Sequence, residues 1–284
     1  MTVALETPST GAAATVSGLL SDTYRHLAEV CRALTVRVGD PASSATRTGL
    51  NGAELTKNAE ALEAFLQAED TRIRARYDHD PRRDVAASRA LHHYAWSVGL
   101  LMSGAWYLTG RVPRISPEDV RIDLASGVFE ISPGADLACL PKDPAAALPG
   151  MLTVPHEEAL RAELRVAVAD HMEPLLRAIG PYIRRGPRAL WGLVTDDLVS
   201  GIWYLGRMLG REPDAVRAAT ALLPTAVPPF PGGADFRHLT DSDGRQHPTR
   251  TRMGCCLYYT IRPAEACATC PRVGDTERLR RIEG

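Results

Sequence analysis

The chain has 284 residues, 45% hydrophobic and 24% charged, which is enough apolar material for one large core or two smaller ones. Its 33 Lys and Arg nearly cancel its 34 Asp and Glu, a balance that argues against a dedicated nucleic-acid binder, since such proteins carry a basic surplus. No apolar run reaches the roughly 18–20 residues that cross a bilayer, and residues 1–20 lack a basic leader, so a cytoplasmic protein without a transmembrane segment is expected.

Residues 1–15, rich in Ala, Thr, Gly and Ser, are expected to be a disordered start. A mostly helical body over 16–223 follows. Leu20, Tyr24, Leu27, Cys31 and Leu34 step by fours and threes along one helical face, which Gly39 and Pro41 end. A second helix is predicted over 53–77, with Leu55, Leu62, Leu66, Ile73 and Tyr77 inward. Asp80-Pro81 then reads as the start of a central buried helix carrying His92 and His93 and stopped by Gly110. The histidine pair is read as packing rather than substrate contact.

The period switches to alternation at Val120, Ile122 and Leu124, and Val128-Phe129-Glu130-Ile131 follows, so a β-hairpin is expected near 120–131. Residues 132–150 read as loop. Helices are predicted over 155–179, closed by Gly180-Pro181, over 187–209 and over 213–223. Pro228-Pro229, Pro231-Gly232-Gly233 and Asp243-Gly244 mark 224–248 as a Pro/Gly-rich connection. The fold class is therefore mainly α with a small β-hairpin or sheet (α+β), a helical body followed by a cysteine-rich metal-binding segment over 249–284. Ser103-Gly104-Ala105-Trp106-Tyr107-Leu108 is echoed by Ser200-Gly201-Ile202-Trp203-Tyr204-Leu205, as two similar central helices would produce.

The densest chemistry lies in that last segment. Cys255-Cys256 is followed after ten residues by Cys267-Ala268-Thr269-Cys270-Pro271. Four thiolates in so short a window fill a tetrahedral zinc or hold a small iron–sulfur cluster, and in a reducing compartment they favour metal over disulfides. Adjacent cysteines diverge in an extended strand, so a tight bend is needed to aim both at one site, and Gly254 is the expected source of it. Cys31 and Cys139 stand alone and read as small buried hydrophobes.

At these residues the sequence resembles the FhuF-like ferric-siderophore reductase family, whose signature is Cys-Cys-x10-Cys-x2-Cys. Arg252 ahead of the first pair, Leu257-Tyr258 after it and the closing Cys-Ala-Thr-Cys-Pro agree with that resemblance, as does Arg188-Ala189-Leu190-Trp191-Gly192 in the helical body. The specific part covers about twenty residues.

The resemblance implies that Cys255, Cys256, Cys267 and Cys270 hold one 2Fe-2S cluster. It further implies one-electron reduction of a cytoplasmic ferric siderophore, of hydroxamate type, with release of Fe(II). No phosphate-binding G-x-x-x-x-G-K-[ST] or G-x-G-x-x-G run is present, so no bound nucleotide or flavin is expected. A separate donor, such as a reduced ferredoxin or flavin system, is then required. An electron carrier or sensor, or a structural zinc protein, are the competing readings. Arg245, Arg250, Arg252, Arg262 and Arg272 form a local basic surplus, read as tuners of the site, as a docking patch or as solvated surface charge. His171, Trp191 and Trp203 are read as core.

Overall fold

The computed structural model describes residues 15–39 and 49–283, so all but one residue of the stretch expected to be disordered falls outside the described residues. The exception, Thr15, caps α1 (Val16–Val30) through a hydrogen bond from the Gly18 amide. Val16, Leu20, Tyr24 and Leu27 of α1 face the core, on the spacing seen in the sequence. The chain leaves the helix at Cys31, earlier than expected, and enters β1 (Val36–Val38).

The single helix expected over 53–77 is two, after the short β2 (Leu50–Asn51). α2 (Gly52–Lys57) and α3 (Ala59–Tyr77) meet at Asn58, whose side chain accepts from the Glu60 and Ala61 amides. An N-capping side chain competes with helix continuation, and here it starts a new helix. The central helix α4 (Arg83–Thr109) begins from Arg82 rather than Asp80 and ends at Gly110, which adopts φ 69°.

The expected hairpin is present as β4 (Val120–Ile122) and β5 (Phe129–Ile131), preceded by β3 (Val112–Pro113). It is the middle of a four-stranded sheet ordered β1-β5-β4-β2, with β1 parallel to β5. The stretch expected as loop contains β6 (Leu137–Cys139), which joins β3 and β7 (Met151–Thr153) in a second sheet. Strands of two or three residues are too short to show an alternation, which is why the sequence hides them.

α5 (Glu157–Ile183) runs through Pro174 and Pro181 and stops at Arg184 rather than at Gly180-Pro181. Ile179 and Ile183 are both buried, so side-chain burial holds the last turn despite the lost amide. α6 (Pro187–Met208) and α7 (Glu212–Leu222) match expectation. The echoed Ser-Gly pair has a packing use: Gly104 of α4 lies under Leu27 of α1, and Gly201 of α6 lies against Leu100 of α4. The connection over 224–248 contains a second hairpin, β8 (Arg237–Thr240) with β9 (Gln246–Thr249).

α8 (Tyr258–Ile261) and α9 (Asp275–Glu283) complete the cysteine segment. What fastens this segment to the body is ionic. Asp196, fully buried on α6, accepts from Arg250 Nη2 at 2.6 Å and from the Gly254 amide at 2.6 Å. Arg250 is equally buried, and its Nε donates to the Ala234 carbonyl at 2.8 Å. Burial pushes the Asp196 carboxyl above the usual range against the pull of Arg250 and Arg252.

Removing one partner of a buried ion pair strands the other charge, which costs about 3–5 kcal/mol. Asp196→Ala is therefore expected to lower unfolding free energy by about that amount and to speed amide exchange over 249–272, read by chemical denaturation and hydrogen-exchange mass spectrometry. Gly206→Ala drives a Cβ into Ala215 Cβ, so α6 and α7 must separate. A loss of about 1–3 kcal/mol is expected in the same denaturation assay.

Candidate metal centre

Residues 250–257 and 266–278 form two arms that meet side by side. The Arg252 amide donates to the Thr269 carbonyl at 3.0 Å, and Cys267 and Cys270 close a tight turn through the Cys270 amide and the Cys267 carbonyl at 2.9 Å. Cys256 and Cys270 are buried, whereas Cys255 and Cys267 are part-exposed, and none of the four is in a disulfide. The four share one electrostatic neighbourhood: Cys256 and Cys270 raise the thiol pKa of both Cys255 and Cys267.

The chain bends at Met253 and Gly254, as expected ahead of the first pair. Gly254 does not have a positive φ; a Cβ there would lie 2.8 Å from the Leu193 amide nitrogen, so glycine serves close approach to α6. A further bend falls at Leu257, in the left-handed region at φ 61° and ψ 10°. A leucine held there stores backbone strain, and such strain concentrates at functional sites. Leu257 and Ile261 are buried in a small apolar cluster with Ile73, Val85 and Ala86 of the body, and Cys255 packs against it.

Burial dominates the thiol chemistry. It raises Cys255, with the Leu257 amide opposing, and pushes Cys267 up to about 11 against the nearby Arg252 charge. These thiols are protonated at neutral pH, so binding a metal displaces protons. Thr269 Oγ1 lies 3.9 Å from Cys267 Sγ, within reach of a weak hydrogen bond to sulfur.

Two arginines place buried positive charge beside the sulfurs. Arg252 donates from Nη2 to Asp197 Oδ1 at 2.5 Å and its charge acts on Cys256 and Cys267. Arg278 of α9 donates to the Arg250 and Cys270 carbonyls at 2.7 and 2.8 Å, with Cys267 and Cys270 in range of its charge. Arg185 steadies the first pair by donating to the Cys255 carbonyl at 2.8 Å. Burial opposes ionisation of Asp197, but His92 and Arg252 outweigh it and hold its carboxyl below the usual range.

The five arginines singled out in the sequence thus divide. Arg250 and Arg252 are buried ion-pair partners rather than solvated charge, whereas Arg245 and Arg262 pair with Asp243 and Glu265 at the surface. Arg272 lies over the Tyr259 ring. Asp196, Asp197, Arg185 and Arg278 were missed, although an Asp-Asp pair inside an otherwise apolar helical stretch was a readable signal. His171, bonded to Tyr94 and the Ile115 carbonyl, is core as expected. Trp191 packs edge-on to Phe230, and Trp203 to Phe236, with the Trp203 indole donating to Glu212. His92 has a different role from packing alone, since its Nδ1 lies 2.7 Å from Asp197 Oδ1.

Among the described residues, no three His, Cys, Asp or Glu side chains are already drawn together at metal-binding range. The donor set nevertheless fits an anionic sulfur-bound group. All four candidate donors are thiols, two arginine charges oppose the negative charge such a group brings, and Arg252 Nε is buried with no hydrogen-bond partner among the described residues.

A search of curated proteins finds no match to the chain. A family model described as the FhuF 2Fe-2S C-terminal domain matches residues 252–272, which span both cysteine pairs, the Leu257 bend and Arg252. The segment docked on α6 through Asp196 and Asp197 therefore matches the FhuF 2Fe-2S C-terminal domain, and that match indicates a 2Fe-2S cluster as its cofactor.

Proposed function

We propose that this chain is a cytoplasmic ferric-siderophore reductase that takes one electron from a separate donor, a reduced ferredoxin or flavin system, and passes it to siderophore-bound Fe(III). Cys255, Cys256, Cys267 and Cys270 are the proposed ligands. The observation that carries the reading is the position of these four thiols, in one neighbourhood with two of them part-exposed, inside a domain of this family. The bound cluster supplies reversible storage of a single electron.

The protein's own residues set how that electron is held. Arg252 and Arg278 offset negative charge on the sulfurs, and the Thr269 hydroxyl adds a dipole at Cys267, so all three favour the reduced state. The apolar cluster of Leu257, Ile261 and Ile73 keeps water from one side, while part-exposed Cys255 and Cys267 give a bulky chelate a short approach. Siderophore oxygens bind Fe(III) far more tightly than Fe(II), so one electron loosens the metal without a nucleophile or general base.

Anaerobically purified protein is expected to be red-brown with about two irons and two sulfides per chain, as a 2Fe-2S cluster requires. Cys267→Ser should abolish that content and Cys31→Ser should leave it intact, by metal analysis and visible absorption. Reduced protein, freed of excess reductant, should be reoxidised by a ferric siderophore while an Fe(II) chelator develops colour. Full cluster content without reoxidation by any chelate would leave an electron carrier or sensor instead. Thr269→Val should lower the midpoint potential by up to about 59 mV, a tenfold shift in a one-electron equilibrium, with cluster content unchanged and Thr269→Ser close to the parent in redox titration.

A further inference from the structure

A cleft of about 200 Å³ opens between α3 and α4, and its Tyr77 and Arg89 meet Tyr258 of the cysteine segment. Its walls are built by helical spacing: Arg72, Arg76 and Tyr77 come from one face of α3, and Arg89, His92 and Trp96 from one face of α4. Three guanidiniums therefore face a single carboxylate, that of Glu69, which is already paired with Arg72. Neither Arg76 nor Arg89 is in ion-pair contact with a carboxylate among the described residues; each lies over a tyrosine ring, Tyr77 and Tyr258. Arg72 Nε is buried without a hydrogen-bond partner among the described residues. Burial lowers both histidines, His93 to about 4, so the arginines carry the fixed charge of the cleft. Guanidiniums that lie over rings and have no ion-paired carboxylate among the described residues, as Arg76 and Arg89 do, recognise carboxylate or catecholate oxygens.

The cleft is joined to the cysteines by three routes. Ile73 in its wall packs in the same apolar cluster as Leu257, against which Cys255 also packs. His92 reaches Asp197, and Asp197 in turn holds Arg252. Tyr258, two residues beyond Cys256, meets Tyr77 edge-on and lies under the Arg89 guanidinium. A group seated in the cleft therefore lies against the segment that carries the ligands.

We propose that this cleft binds an anionic arm of the ferric chelate, so that the substrate is a negatively charged carboxylate or catecholate complex rather than a neutral hydroxamate one. The proposal rests on the reductase reading for its metal, not for the binding itself. The volume is below that of a site enclosing a whole drug-sized ligand and suits one chelating arm, with the rest of the complex outside. Three hydroxamates cancel the charge of Fe(III), whereas three catecholates leave it strongly negative, so charge alone separates the classes.

The test uses Ga(III) complexes, which keep the shape and charge of the ferric ones but do not accept the electron. Binding of Ga(III) tricatecholate, Ga(III) citrate and a neutral Ga(III) trihydroxamate to the cluster-loaded protein is measured by calorimetry. At least one anionic complex should bind tenfold or more tightly than the neutral one, with affinity falling as salt rises. The two anionic arms separate catecholate from carboxylate recognition. Arg76→Gln with Arg89→Gln should remove that preference while circular dichroism and cluster absorption stay unchanged. If the double variant is disturbed in either, Arg76→Gln alone, at an exposed position, should still weaken the anionic complex several-fold.

Equal affinity for charged and neutral complexes, or an anionic affinity untouched by the arginine changes, would overturn the proposal. Arginine-dependent binding of the Ga(III) complex without reoxidation by its Fe(III) counterpart would support the cleft and sink the reductase reading.

Discussion

Two adjacent carboxylates in the middle of an apolar helix set the terms for this fold. Asp196 and Asp197 are both fully buried on α6, and a buried carboxylate is tolerable only with charged or hydrogen-bonding partners. Those partners come from the distant cysteine segment: Arg250 and the Gly254 amide to one, Arg252 to the other, with His92 of α4 completing the second. The helical body and the cysteine segment are therefore not separable in energy. The body needs the arginines to neutralise its interior, and the segment needs the aspartates to be held at all.

That arrangement explains why the site was only half legible in the sequence. The four cysteines and their spacing are local, and local patterns survive in a one-dimensional reading. Arg250 and Arg252 are equally visible as letters, but nothing local distinguishes a buried ion-pair arginine from a solvated one such as Arg245. Arg185 and Arg278 reach the site through carbonyl contacts set by tertiary packing, so no motif marks them. The Asp-Asp pair did carry a signal, because two acids break the apolar face of a helix that otherwise reads as core.

The fold shows the same division. Long amphipathic helices with clear stops, such as α4 ending at Gly110 and α6 starting at Pro187, stand where their periodicity puts them. What escaped were elements whose cause is not periodic: the break at Asn58, made by one capping side chain, and the two- and three-residue strands, made by pairing with distant partners. The run of α5 through Pro181 is a third kind, where burial of Ile183 overrides a local breaker.

Arg278 has a temporal consequence. It lies later in the chain than all four cysteines, yet its guanidinium ties the Cys270 carbonyl to the Arg250 carbonyl and so locks one arm to the other. Synthesis runs from the N-terminus, so every thiol leaves the ribosome before the side chain that fixes the arms together. The two arms are therefore locked together only once α9 is in place, after every candidate ligand has been made.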